Sequence, residues 1–290
     1  MNLIFTRFSV LTPHGFQNRS PRETSIRSKT YLPRWLKTRL IGRPAKKSLD
    51  EVAVQLFAPE RMEERFFYFE HVCLASLANQ TSQAFRHIVM VSPEMPADQR
   101  KRLEGLQSRF GFVIVEVARD ASITKVAQAV TKTHSADAEV IITSRLDDDD
   151  ALCKDFLQRT DDIVQRSRPG TVISFPNGIE MKFDGKGASV RPRFFPFFAL
   201  GMAYVEANNG RPKTIFGCGQ HRFVAEKHAC HCDPMADAYV VSAHAGNDSN
   251  RFVDNRAIGD AGDHTDISQV DAAYYADRFG LDLKRLGAPR

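Results

Sequence analysis

Residues 139–152 read EVIITSRLDDDDAL, a short apolar run ending in Arg145 and Leu146 and then four consecutive aspartates, Asp147 to Asp150. A β-branched run of this length with no polar alternation predicts a strand buried on both faces, which is the habit of parallel sheets. The aspartates then stand at the strand's carboxyl end, where open α/β sheets bind ligands, and a helix is expected to begin near Ala151. Four adjacent carboxylates repel one another, but Asp147 with Asp149, or Asp149 with Asp150, can converge on one centre. A bound cation would relieve the repulsion, and all-oxygen ligation favours a hard ion, Mg²⁺ or Mn²⁺. The competing explanation is an acidic helix start, because Asp favours N-caps and first turns.

The chain around this stretch alternates strands and helices. Apolar strands are expected at Leu3–Val10, His87–Ser92 and Phe112–Val117, and helices at 59–79, 96–109 and 122–134. In the first helix Phe66, Phe69, Val72, Cys73 and Leu77 share one face. From Val172 onward short strand-like pieces are punctuated by Asn177-Gly178 and Asp184-Gly185 turns. The fold class is therefore α/β, a Rossmann-like, mainly parallel sheet flanked by helices with a mixed second half, in one continuous domain over 1–290.

Composition sets the limits. At 290 residues, with 42% hydrophobic and 26% charged residues, the chain can bury a sizeable core, which excludes disorder throughout. No apolar run is long enough to span a membrane and the first ten residues carry no secretory signal. Five cysteines are an odd number in a chain too large to need disulfides, so a cytoplasmic location is expected. The net charge of +5 is unevenly spread: ten basic residues lie between Arg19 and Lys47 against Glu23 alone. Within this basic insert, residues 19–50, Leu32, Trp35, Leu36 and Leu40 recur at helical spacing. That pattern suits peripheral contact of residues 31–41 with the inner face of an anionic membrane, with a solvated loop as the plain alternative. A nucleic-acid partner is not expected, since interleaved stacking aromatics are missing.

SRLDDDDAL, together with TRFSV near the start, RFFYFEHVCLASLANQTSQAFRHIVMVS in the first third and SAHAGNDSNR late in the chain, resembles the bacterial rhamnosyltransferase family, which is similar to GT-A glycosyltransferases. The resemblance covers most of the chain outside the basic insert. It implies a GT-A-type fold in which residues 1–150 bind a nucleotide-sugar donor and residues 151–290 face a saccharide or lipid-linked acceptor. It also implies roles: Arg7 and Phe8 near the base or diphosphate, Asp147 near the ribose, Asp149 on the metal, and His244 at a late metal-ligand position. Nothing in these residues selects rhamnose.

The chemistry can be argued separately. A departing diphosphate needs charge stabilisation from a cation and nearby arginines, for which Arg145 is a candidate. Arg251, in a loop with Asn247 and Asn250, suits phosphate oxygens. An inverting transfer also needs a carboxylate base; among Glu226, Asp233 and Asp237 we favour Asp237, with a plain surface role as its alternative. Asp149, Asp150 and His244 form the expected metal set. A second cluster, Cys218, His221, His228, Cys230, His231 and Cys232, lacks zinc-site spacing. The run Phe194, Phe195, Phe197 and Phe198 could line an acceptor pocket or pack the junction of the halves. Two other classes use the same residues: a metal-dependent phosphohydrolase or nucleotidyltransferase, revealed by hydrolysis without an acceptor, and a noncatalytic basic protein, revealed by metal-independent, salt-sensitive binding.

Overall fold

The computed structural model describes residues 1–11, 48–183, 187–244, 265–267 and 269–288. The insert residues 19–47, with the expected membrane contact at 31–41, and Asn247, Asn250 and Arg251 lie outside them. Among the described residues no helix is long and apolar enough to cross a membrane.

The strands are β1 (Asn2–Arg7), β2 (Phe85–Val91), β3 (Val113–Glu116), β4 (Val140–Arg145), β5 (Ala151–Leu152), β6 (Thr171–Ser174), β7 (Asn177–Phe183), β8 (Ala188–Phe194), β9 (Met202–Ala207), β10 (Ala229–Cys232), β11 (Tyr239–Ala243) and β12 (Thr265–Asp266). They form a seven-stranded sheet in the order β10-β6-β9-β4-β1-β2-β3 and a five-stranded sheet in the order β12-β8-β7-β11-β5. In the larger sheet β1 pairs in parallel with both β2 and β4, and β2 with β3. β9 runs antiparallel to its neighbours β4 and β6, and β10 is parallel to β6. The smaller sheet is mixed, with β7 antiparallel to β8 and parallel to β11. This is the expected α/β arrangement, a mainly parallel sheet flanked by helices, and β6, β9 and β10 from the second half of the chain complete the larger sheet.

Helices cover both faces. Along β1 and the residue that follows it, Ile4 and Phe8 join one core cluster and Leu3 and Phe5 another, the period-2 parity of a strand with no solvent face. The first cluster packs against α1 (Leu49–Leu56), α2 (Pro59–Tyr68), a π-helical turn at Phe69–Leu74 running into α3 (Ala75–Ala78), and α4 (Ala97–Phe110). The second packs against α5 (Ile123–His134) through Ala127, Val126 and Val130. Helix α1 was not expected from the sequence. Its signal is a capping box: Ser48 Oγ accepts from the Glu51 amide at 3.1 Å and Glu51 Oε2 accepts from the Ser48 amide at 2.7 Å.

One expectation at the decisive stretch is corrected. No helix begins at Ala151; Ala151 and Leu152 form β5, antiparallel to β11, and the next helix, α6 (Phe156–Val164), starts four residues later than the strand's end. The Leu152 amide donates to Ser76 Oγ and the Asp150 amide to the Asp147 carbonyl, so the aspartates occupy a turn between two strands. They cap no helix, and the plain explanation for the run falls away.

Candidate functional site

The larger sheet reverses its strand order between β1 and β4: β2 and β3 lie to one side of β1 and β4 to the other. The crevice at the carboxyl ends of these two strands is the topological switch point of the sheet. Arg7 ends β1 and Arg145 ends β4. Arg145 donates from Nε and Nη2 to Asp147 at 3.0 and 2.8 Å, and Arg7 Nη2 lies 3.8 Å from the same carboxylate, whose side chain keeps 38% of its surface exposed. Arg7 Nε is a buried donor with no partner among the described residues. Burial, followed by the neighbouring Arg145, lowers the Arg7 pKa; Arg145 is raised, Asp147 outweighing the burial that works against it. Both guanidiniums remain cations at any working pH.

The next three aspartates turn inward. Arg65 on α2 donates Nε to Asp148 Oδ2 at 2.9 Å, Nη2 to Asp148 Oδ1, and Nη1 to Asp149 Oδ2 at 3.0 Å. Asp150 Oδ1 accepts from the Ser242 amide on β11 at 3.0 Å. His244, just past β11, brings Nε2 to 3.3 Å from Asp149 Oδ2 and Nδ1 to 3.1 Å from Glu64 Oε1, with its ring stacked on Tyr68 at 3.7 Å. Burial pushes Asp148 up to about 7 against the pull of Arg65. For Asp149 burial works the same way, but Arg65 and His244 outweigh it and hold the acid down at about 2. Burial and the neighbouring carboxylates raise Asp150. Burial would lower His244, yet hydrogen bonds to Asp149 and Glu64 raise it. The repulsion among four carboxylates is thus met by Arg7, Arg65, Arg145 and His244 from within the chain.

A cation has been expected at this turn, and the donor set can be tested against one. Among the described residues no group of three or more His, Cys, Asp or Glu side chains is placed to hold a metal ion. Asp149 and His244 nevertheless offer an ionised carboxylate oxygen and an imidazole nitrogen side by side. Two protein donors suffice where substrate phosphates and water complete the shell, the usual arrangement for Mg²⁺-type sites. A cation held by this pair would need a diphosphate and water to complete its shell. Asp150, also in the expected metal set, accepts from the Ser242 amide through Oδ1.

Other expected residues fall elsewhere. Phe8 is fully buried between Phe66 and Phe69, with ring centroids 4.9 and 4.8 Å away; strand parity turns it from the crevice that Arg7 faces, so it is a core residue and the nucleotide contact expected of it is corrected. Asp237 precedes β11 at the end remote from His244. Five residues of strand, roughly 16 Å, separate it from Ser242, and it accepts from Tyr274 Oη at 2.9 Å. Asp233 is paired with Arg159 at 2.7 Å, and Glu226 is exposed on the short helix Val224–Lys227. None of the three carboxylates reaches the aspartates, so the favoured base is corrected as well. In the cysteine cluster Cys218 is buried while Cys230 and Cys232 are exposed on β10. Of the aromatic run, Phe198 packs on Tyr239 at 5.6 Å and Phe195 on Phe198 at 5.5 Å, the packing role.

Sequence reasoning missed Arg65, Glu64 and Tyr68. Arg65 was detectable: it sits in the apolar stripe Met62, Phe66, Phe69, Val72, and a cation on a buried helix face requires a buried partner. Beside His244, a cavity of about 420 Å³ opens, lined by Glu60, Glu63 and Glu64 with Phe67, Tyr68 and Phe183.

Comparisons with known proteins complete the description. The chain is similar to the crystal structure of S. aureus TarS 1–349, at 11% identity and a TM-score of 0.38 over 61% of this chain and 57% of that one. The same fragment in complex with UDP gives 12% identity and a TM-score of 0.38 over the same shares. The inositol-1-phosphate CTP transferase from T. maritima gives 13% identity and a TM-score of 0.31, over 64% of this chain and 80% of that one. The chain thus spans a little over half the length of the TarS fragment, and likenesses this loose assign it neither activity nor substrate. No curated protein matches it. At the level of sequence the relationship is definite: a family model matches residues 2–256, and the chain belongs to the family described as "Putative rhamnosyl transferase".

Proposed function

We propose that this protein is a glycosyltransferase that moves a sugar from a nucleoside-diphosphate donor to a hydroxyl of a saccharide or lipid-linked acceptor. The observation that carries the reading is the pair of arginines, Arg7 and Arg145, converging on the half-exposed Asp147 at the switch point between β1 and β4. Guanidiniums at a crevice of this kind bind phosphate oxygens through paired, charge-assisted hydrogen bonds, and Arg7 brings a donor that no described residue uses. In the leaving-group step, negative charge builds on the diphosphate oxygen released from the anomeric carbon, and Arg7 and Arg145 stand where they stabilise it without reorganisation. Asp147 accepts ribose hydroxyls in the role that family membership suggests. Asp149 and His244 hold a divalent cation, Mn²⁺ or Mg²⁺, which when bound supplies further charge neutralisation to the diphosphate.

Arg65 keeps Asp148 and Asp149 in place and Asp149 ionised, so the turn is set before any donor arrives. The family description makes rhamnose the first sugar to try, and the donor's base is left to experiment. Purified protein incubated with Mn²⁺ and a panel of UDP-, GDP- and dTDP-linked sugars, rhamnose included, is expected to release the nucleoside diphosphate of one class, faster when saccharides are added. Consumption of none of them, with and without saccharides, would contradict the reading.

A further inference from the structure

His244 stands between two spaces. Its Nε2 lies 3.3 Å from Asp149 Oδ2 at the donor turn, and the same residue lines the cavity of about 420 Å³. That volume falls within the roughly 300–1,000 Å³ of small-molecule sites, which join an apolar surface to a few polar groups that fix a ligand's orientation. The apolar surface is here: Tyr68, Phe183 and Leu286 line the cavity from buried positions, and Phe67 is half-buried. The polar lining has one dominant sign. Among the described residues Glu60, Glu63 and Glu64 face a single guanidinium, Arg102, which pairs with Glu63 at 2.6 Å. The start of α2 accounts for Glu60, since acidic residues favour a first turn. It does not account for Glu64, one turn on at i+4, where like charges repel. The donor crevice carries the opposite sign, set by Arg7 and Arg145.

We propose that this cavity is the acceptor site, and that it takes a sugar unit whose substituents are neutral or carry an amine while turning away sugars that bear a carboxylate or a phosphate. The proposal rests on the glycosyltransferase reading given above. Ionised carboxylates only accept hydrogen bonds, so each suits a sugar hydroxyl, which donates. The face of an aromatic ring is negative and receives the C–H face of a sugar or a protonated amine. A cleft lined by one sign of charge concentrates the opposite sign and repels its own. The donor's diphosphate is therefore directed to the arginines and away from the cavity, and the two substrates are sorted by charge on either side of His244. Both parts of the chain build the cavity, α2 from the first and Phe183 with Leu286 from the second.

The test reads binding to the full chain. Methyl glycosides of glucose, glucosamine and glucuronic acid serve as neutral, cationic and anionic probes, followed by saturation-transfer NMR, and UDP, GDP and dTDP are titrated into the same samples. We expect the glucoside and the glucosaminide to bind, and the glucuronide to bind roughly tenfold or more weakly. Ala288 is exposed and lines the cavity, so Ala288→Trp fills it without disturbing the core and should abolish sugar binding while nucleotide binding is retained. Glu63 keeps 72% of its side-chain surface exposed, and Glu63→Arg should narrow or reverse the preference against the glucuronide. Equal binding of the glucuronide, sugar binding unchanged in Ala288→Trp, a preference unmoved by Glu63→Arg, or no sugar binding where a nucleotide does bind would each overturn the proposal. Binding of none of the nucleotides would instead contradict the glycosyltransferase reading, and the acceptor role would fall with it.

Discussion

Arg65 does for the aspartate turn what we had expected a metal ion to do. Its guanidinium sits among buried carboxylates and satisfies two of them, and removing one member of a buried ion pair leaves an uncompensated charge at a cost of about 3–5 kcal/mol. Arg65→Met is accordingly expected to lower unfolding stability by about that amount in denaturant titrations at neutral pH. The sign with pH follows from Asp149, whose acid is lowered from 3.8 to about 2. A depressed carboxylate contributes stability above its unfolded value and loses it as pH falls through the folded one. The gap between wild type and variant should therefore narrow as pH drops below about 4; a gap that is small at neutral pH, or that widens in acid, would contradict this role for Arg65. At this scale the sequence was partly legible. Arg7, Arg145, Asp147, Asp149 and His244 were expected from motif and resemblance, and the structure sets Arg7 and Arg145 against Asp147 and His244 against Asp149. Phe8 was misplaced because adjacent strand residues point to opposite faces, and Asp237 because nearness in sequence to His244 is distance along a strand.

The elements were easier to foresee than their joints. β1, β2 and β4 are buried on both faces and announce themselves as apolar runs, and the helix expected at 59–79 is present as α2, the π turn and α3. β5 was hidden, because two residues, Ala151 and Leu152, carry no period; only their pairing with β11, about ninety residues away, makes them a strand. The smaller sheet depends on close backbone approach in the same region. A Cβ added at Gly178 on β7 would stand 2.3 Å from the buried ring of Tyr239 on β11, whereas one added at Gly105 in α4 would meet nothing within 4 Å. Overpacking against a rigid ring costs about 1–3 kcal/mol, while alanine for glycine inside a helix is favourable by about 0.5–1 kcal/mol. Thermal melts should show Gly178→Ala destabilised and Gly105→Ala stabilised; a neutral Gly178→Ala would mean that β7 and β11 are not packed as described.

The whole molecule brings distant segments together at the aspartate turn. β1 supplies Arg7, the turn after β4 supplies Asp147 and Asp149, α2 supplies Arg65 and Glu64, and the segment after β11 supplies His244. The sequence could show that the turn mattered but not that residues 65, 149 and 244 meet, since that juxtaposition exists only once the two sheets pack across α2. The turn is paired from within by arginines and an imidazole, and the exposed cationic capacity lies at Arg7. The most direct test is calorimetric titration of the purified protein with UDP, GDP and dTDP, with and without Mn²⁺, on wild type, Arg7→Ala and Asp149→Ala. The account predicts that one nucleoside diphosphate binds, that Arg7→Ala weakens it with or without the metal, and that Asp149→Ala removes only the gain due to Mn²⁺. Binding of none of the three, or binding indifferent to Arg7→Ala, would contradict a diphosphate site at the switch point.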